Sequence, residues 1–224
     1  MLAKAWEADG LRILETSISN ERIMITFSTR PCVAPVLLAA RAKGRLQHAY
    51  RTVDGTTCKF SRKLAVRSVG DNRTEEVRRY IRQQVRNEPV LNPDLQALLS
   101  QFTVECDVDL GAATESLSGR YWYNLHLVLV TSERYRVVDE PGLMILRNQS
   151  FRVAKKKCYS IASLALMPDH LHVALRGNIE HSPHETALAF QNNLAYALGR
   201  GRIWQSTFYV GTFGEYNMNA VRRH

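Results

Sequence analysis

The sequence predicts two tandem α+β units, each with an antiparallel sheet covered by helices. Two observations carry that expectation. The first is an internal repeat: residues 66–80 read V-R-S-V-G-D-N-R-T-E-E-V-R-R-Y, and residues 210–224 read V-G-T-F-G-E-Y-N-M-N-A-V-R-R-H. At one constant offset Gly70 falls on Gly214, Val77-Arg78-Arg79 on Val221-Arg222-Arg223, and Tyr80 on His224. The second is the order of elements, because both halves run strand, strand, helix, strand, helix. The second half adds an opening strand and helix, so the N-terminal unit lacks its first strand.

The elements follow in order. Ala3 to Asp9 is a short helical stretch closed by Gly10. Leu11–Glu15 and Ile23–Phe27 are rich in branched and apolar residues and read as strands. Val36 to Tyr50 is an amphipathic helix carrying Arg41, Lys43 and Arg45. A strand over Phe60–Val69 stops at the turn signal Gly70-Asp71-Asn72. Thr74-Glu75-Glu76 then starts a helix, with acids at its positive end and Val77, Ile81 and Val85 at helical spacing. These elements make a first unit over residues 1–86, and residues 87–118 read as a connector punctuated by Pro89 and Pro93.

The second unit, residues 119–224, opens with a strand over Tyr121–Val130. A helix over Glu140–Lys157, with a basic Lys155-Lys156-Lys157 end, comes next. Cys158–Met167 and His170–Arg176 form a strand pair turned at Pro168-Asp169. A helix over Pro183–Leu198, a strand over Ile203–Phe213 and a helix start at Asn217 complete the unit.

Composition narrows the partners. The chain has 224 residues and a formal net charge of +9, which favours a polyanion such as nucleic acid. No apolar run approaches the roughly 20 residues that span a bilayer, and the N-terminus has no signal-peptide core, so a membrane is not the expected partner. The four cysteines, Cys32, Cys58, Cys106 and Cys158, are isolated, which fits a reducing cytosol rather than a disulfide framework or zinc ribbon.

Met167-Pro168-Asp169-His170-Leu171-His172-Val173 is the strongest local motif. On a strand, residues i and i+2 share a face, so His170 and His172 present two imidazoles side by side. Neutral imidazoles are good ligands for divalent metals. Tyr80 lies on a helix made basic by Arg78, Arg79, Arg82 and Arg86, which suits a phosphodiester. Gln84, at i+4 from Tyr80, shares its helical face and offers an oxygen ligand. Gln83 at i+3 is the lesser alternative. Arg41, Lys43, Arg45, Lys155 and Lys156 are candidates for tracking phosphates, although a solvated face would look the same. Trp122, Tyr123, Trp204, Phe208 and Tyr209 read as core residues. His126, His181 and His184 read as structural or surface residues.

With H-L-H in M-P-D-H-L-H-V, the strands F-Y-V-G-T-F-G and L-A-V-R-S-V-G, and a helical Y-x-x-x-Q, the chain resembles the single-tyrosine HUH transposases of insertion sequences and of REP-associated tyrosine transposases. The resemblance covers most of both units and leaves out the connector. It implies ferredoxin-like, HUH-type units in a bacterial cytosol. It also implies that two histidines and a glutamine hold Mg²⁺ or Mn²⁺ while the tyrosine attacks single-stranded or hairpin DNA, giving a 5′-phosphotyrosine and a free 3′-OH. Composite sites shared between subunits belong to the same implied picture.

Neither unit carries the full set. The second keeps His170 and His172 but has His224 at the tyrosine position. The first keeps Tyr80 and Gln84 but has Arg22-Ile23-Met24 where the histidine pair would lie. Arginine and methionine cannot replace imidazoles at a hard divalent site. The expectation is therefore a fused pseudo-dimer, monomeric or paired as a homodimer, with one composite site: Tyr80, Gln84, His170 and His172. Two rivals remain. One is a decayed or domesticated hairpin-binding protein that makes no covalent adduct. The other is a metal-dependent hydrolase that uses water, for which no carboxylate ligand set is evident.

Overall fold

The computed structural model describes residues 2–54, 60, 61, 63–88 and 92–221. In the first half α1 (Leu2–Ala8) leads into a hairpin of β1 (Leu11–Ile18) and β2 (Ile23–Thr29), followed by α2 (Pro35–Asp54). Trp6, Leu11 and Val33 form its small core. Then come β3 (Leu64–Arg67) and α3 (Thr74–Asn87). The segment read as a connector contains α4 (Pro93–Gln101), the two-residue β4 (Val104–Glu105) and β5 (Thr114–Ser116). The second half comprises β6 (Gly119–Trp122), β7 (Asn124–Val130), α5 (Glu140–Lys157), β8 (Ser160–Leu166), β9 (His170–Arg176), α6 (Pro183–Ala197), β10 (Tyr209–Phe213) and α7 (Met218–Val221). The fold is α+β, as expected. His224 and the Arg222-Arg223 pair of the repeat lie outside the described residues.

The main sheet has the order β10-β7-β9-β8-β4, with every pairing antiparallel. Its two faces differ in chemistry. Leu125, Leu127 and Leu129 of β7 and Leu171, Val173 and Leu175 of β9 point into the large core, against Leu143, Leu146 and Val153 of α5 and Phe190 and Leu194 of α6. The other face is lined by small residues, Ala162, Ala165 and Ala174, and receives Val77 and Ile81 of α3. Small residues there let a helix from the first half lie close to a sheet of the second. Each of the two apolar side chains contributes about 1.5–3 kcal/mol by leaving water.

Two strands differ from the sequence reading. The expected strand over Tyr121–Val130 is broken at Tyr123, because its partners change. β6 pairs with β3 (parallel) and β5, whereas β7 pairs with β9 and β10. The expected strand over Ile203–Phe213 is regular only from Tyr209. Trp204 bridges Thr131 and Tyr209 pairs with Val128, so the segment between them is longer than the opposite strand can match and bulges out.

The repeated segments meet each other. The Thr74 amide donates to the Gly214 carbonyl (2.9 Å), and the Met218 amide donates to the Gly70 carbonyl (3.0 Å). Ser68 Oγ donates to the Phe213 carbonyl (2.5 Å), and Thr212 Oγ1 donates to the Val69 carbonyl (2.6 Å). In each pair of bonds, donor and acceptor exchange places between the two copies. The hairpins β1–β2 and β8–β9 also match. Each carries a one-residue register shift after an isoleucine, between Ile13 and Glu15 in one and between Ile161 and Ser163 in the other. Counted from that shift, Met24 occupies the place of His172.

Candidate active site

The site is built where α3 crosses the small-residue face of the main sheet. Arg73 begins the helix, its amide donating to Glu76 Oε2 (2.6 Å), and Val77, Ile81 and Val85 bury one stripe. Tyr80 flanks that stripe, 51% exposed. Its ring stands edge-on to His172 (centroids 5.5 Å apart, planes at 85°) and to His126 (6.0 Å, 73°).

His170 and His172 sit side by side on β9, with ring centroids 5.0 Å apart. Their Nδ1 atoms are both engaged. His170 Nδ1 bonds Asp169 Oδ1 at 2.7 Å, and the same carboxylate accepts from Arg134 at 3.0 Å. Burial works against the charged form of Asp169, but the bonds from His170 and Arg134 hold its carboxyl below the usual range. His172 Nδ1 lies 3.2 Å from His126 Nε2. The His172 side chain is 4% exposed, and its Nε2 has no hydrogen-bond partner among the described residues. Burial, and then the neighbouring His126 and His170, push the His172 imidazole down to about 3; burial alone pushes His126 down to about 4. Both rings are therefore neutral near pH 7.

His126, expected from sequence to be structural or at the surface, belongs to this cluster. Its signal was modest: a histidine on the polar alternation of a strand whose other face is Leu125, Leu127 and Leu129. Placing it beside His172 needs the register of β7 on β9, which no local pattern supplies. Tyr209, read as core, is 56% exposed and edge-on to His126 at 5.5 Å. Burial raises its phenol pKa, with Asp71 and Tyr80 adding to the rise. Tyr123 and Trp204 are buried, whereas Trp122 is partly exposed under the Arg67 guanidinium, 3.7 Å from its ring.

Among the described residues Gln84 makes no hydrogen bond to the histidines. Its Nε2 donates to the Tyr80 carbonyl at 3.2 Å. Among the described residues no three of His, Cys, Asp and Glu cluster as metal ligands. The groups that could hold a divalent cation are the buried, unpartnered Nε2 of His172, its neighbour His170, and the Gln84 amide oxygen. The basic residues divide by their contacts. Arg78 bonds the carbonyls of Cys106 (3.1 Å) and Val108 (3.4 Å) and pairs with Glu105 (3.3 Å); Arg82 reaches the same carboxylate at 3.5 Å. Arg41 donates to the Asp9 carbonyl, Arg45 pairs with the Asp9 carboxylate and Lys43 donates to Ser61. Arg79, Lys155 and Lys156 are exposed.

Residues 120–224 match the family model of IS200-like transposases. This part of the chain, just under half of it, is similar to that family. No curated protein matches the chain. Two solved structures are similar to it. One is a candidate transposase from Deinococcus radiodurans R1, 19% identical over 39% of this chain and 75% of that one, with a TM-score of 0.37. The other is a REP-associated tyrosine transposase bound to a REP hairpin, 16% identical over 46% of this chain and 61% of that one, also with a TM-score of 0.37. The matched part holds His126, His170 and His172, while Tyr80 and Gln84 lie before it. No helix among the described residues is long and apolar enough to cross a membrane.

Proposed function

We propose that the chain cleaves and rejoins single-stranded or hairpin DNA, with Tyr80 as nucleophile in one composite site shared by two fused halves. The observation that carries this reading is the seating of Tyr80, from outside the transposase-matched part, against the imidazoles inside it. The exchanged hydrogen bonds between the repeat copies support the fused pseudo-dimer, because a two-fold interface makes residue i meet j while j meets i.

In the reaction the Tyr80 phenol oxygen forms a bond to phosphorus and loses its proton to water. The P–O3′ bond breaks, and the 3′ oxygen takes a proton and leaves as a 3′-OH. The 5′ side stays on the tyrosine, and attack by a 3′-OH reverses the step and rejoins a strand. His170 and His172 would hold Mg²⁺ or Mn²⁺, with Gln84 as a third ligand. A divalent cation there supplies charge neutralisation at the scissile phosphate. Arg79, exposed one residue before Tyr80, adds positive charge beside the DNA backbone.

The test is a denaturing gel of the chain incubated with labelled hairpin and single-stranded DNA plus Mn²⁺. One covalent adduct per chain, retaining a 3′-end label, supports the proposal. DNA binding with no adduct under any divalent ion favours a hairpin-binding protein.

A further inference from the structure

His126 reaches His172 because of strand register. On β7 it lies opposite Ala174, while Val128 lies opposite His172, so the two histidines are diagonal neighbours on one face. Their rings are nearly parallel, 22° apart in plane with centroids separated by 5.4 Å. Among the described residues, the one hydrogen-bonding contact of the His172 ring is the 3.2 Å approach of its Nδ1 to His126 Nε2.

A neutral imidazole has one N–H and one lone pair, and the other ring nitrogen's bond decides which is where. Two arrangements satisfy the contact. If His126 Nε2–H donates, His172 must carry its proton on Nε2, a buried donor with no acceptor among the described residues. If His172 Nδ1–H donates, its Nε2 keeps a buried lone pair that no donor among the described residues reaches. Only the second leaves a metal ligand. His170 is already fixed the same way, since an ionised carboxylate can only accept and so takes the His170 Nδ1–H.

We infer that His126 is a positioning residue whose Nε2 accepts the Nδ1–H of His172 and so holds the His172 Nε2 lone pair open for a divalent cation. Asp169 does the same for His170, so both candidate ligands present Nε2, one backed by a carboxylate and the other by an imidazole. This rests on the reading that His170 and His172 hold the cation.

The experiment compares His126→Gln, whose amide oxygen can still accept, with His126→Leu, which cannot, both checked for native melting. Two-bond ¹⁵N–¹H spectra of the metal-free protein read the tautomer directly, and calorimetry reads Mn²⁺ affinity. Expected are a wild-type His172 protonated at Nδ1, a His126→Gln protein within about threefold of wild type in affinity, and a His126→Leu protein about 10–100-fold weaker. A wild-type His172 protonated at Nε2, or a His126→Leu protein that binds Mn²⁺ as tightly as wild type, overturns the inference. If the wild type binds no Mn²⁺, the cation reading fails by itself, and the metal-free tautomer still decides the role of His126.

Discussion

Tyr80 and His172 meet edge to face, 5.5 Å between ring centroids, although one stands on a helix of the first half and the other on a central strand of the second. A core-facing tyrosine would be covered, and this one is 51% exposed while the imidazole beneath it is nearly buried. An exposed phenol over a buried, neutral imidazole is the arrangement that the proposed cleavage requires.

Tyr80→Phe should abolish the covalent DNA adduct while leaving hairpin affinity within about threefold, since only one hydroxyl is lost. Tyr209→Phe is the control, because Tyr209 stands against His126 with its phenol pushed up by burial. An adduct that persists in Tyr80→Phe and disappears in Tyr209→Phe would move the nucleophile to Tyr209.

Replacing His170 and His172 together by alanine should lower the cleavage rate by at least about 100-fold, the scale of losing electrostatic stabilisation at a reacting phosphate. DNA binding should change little. Single-turnover rates at saturating DNA separate the two, and an unchanged rate in the double variant would remove the histidines from the chemistry.

Much of this was legible in the sequence, and the part that was not has one cause. α5 runs over Glu140–Lys157 and β9 over His170–Arg176, as the sequence predicts: a basic end closes the first, and the Pro168-Asp169 turn opens the second. The histidine pair on β9 and the tyrosine on a basic helix could be read as residues, because spacing defines each. His126 and the broken strand at Tyr123 could not, because both depend on which strand lies beside which. The same holds for Arg78, whose charge suggests phosphate but whose guanidinium is occupied by two carbonyls and Glu105.

Gly70 and Gly214 should be intolerant of any side chain. A Cβ on Gly70 would collide with the Thr212 carbonyl, and one on Gly214 with the Ser68 carbonyl. Either glycine→alanine change forces the two repeat copies apart and should cost about 1–3 kcal/mol, the scale of overpacking a filled site. Because Gly70 leads directly into α3, Gly70→Ala should also lower the yield of Tyr80 adduct. Thermal melting with an adduct assay checks both, and an unshifted melt with full adduct would show that the close approach is dispensable.

Arg78→Ala and Arg79→Ala should separate stability from DNA binding. The first removes bonds to the Cys106 and Val108 carbonyls and to Glu105, and should destabilise the fold by about 1–2 kcal/mol. The second removes an exposed charge next to Tyr80 and should weaken DNA binding, reducing the salt slope by about one unit. Melting curves and salt-titrated affinities distinguish them, and the reverse pattern would make Arg78 the phosphate contact.

Acid should unfold this chain earlier than its carboxylates require. Burial drives His172 from 6.5 to about 3 and His126 from 6.5 to about 4 in the folded state, so the unfolded chain takes up protons that the folded one refuses. Stability from these rings is complete above pH 6.5 and declines as pH falls from 6.5 toward their folded values. The decline approaches at most about 1.4 kcal/mol per pH unit for each ring. The carboxyls of Asp169 and Glu185 are held below their ordinary values, so their contribution is lost only at lower pH. The interval from pH 6.5 to 5 therefore isolates the histidines. Urea denaturation across it should give a clear slope in the wild type and a flatter one in a His126→Gln, His172→Gln double variant. Parallel slopes would mean that the rings are hydrated enough to protonate in place, and the dry donor inferred from the unpartnered His172 Nε2 would be lost with them.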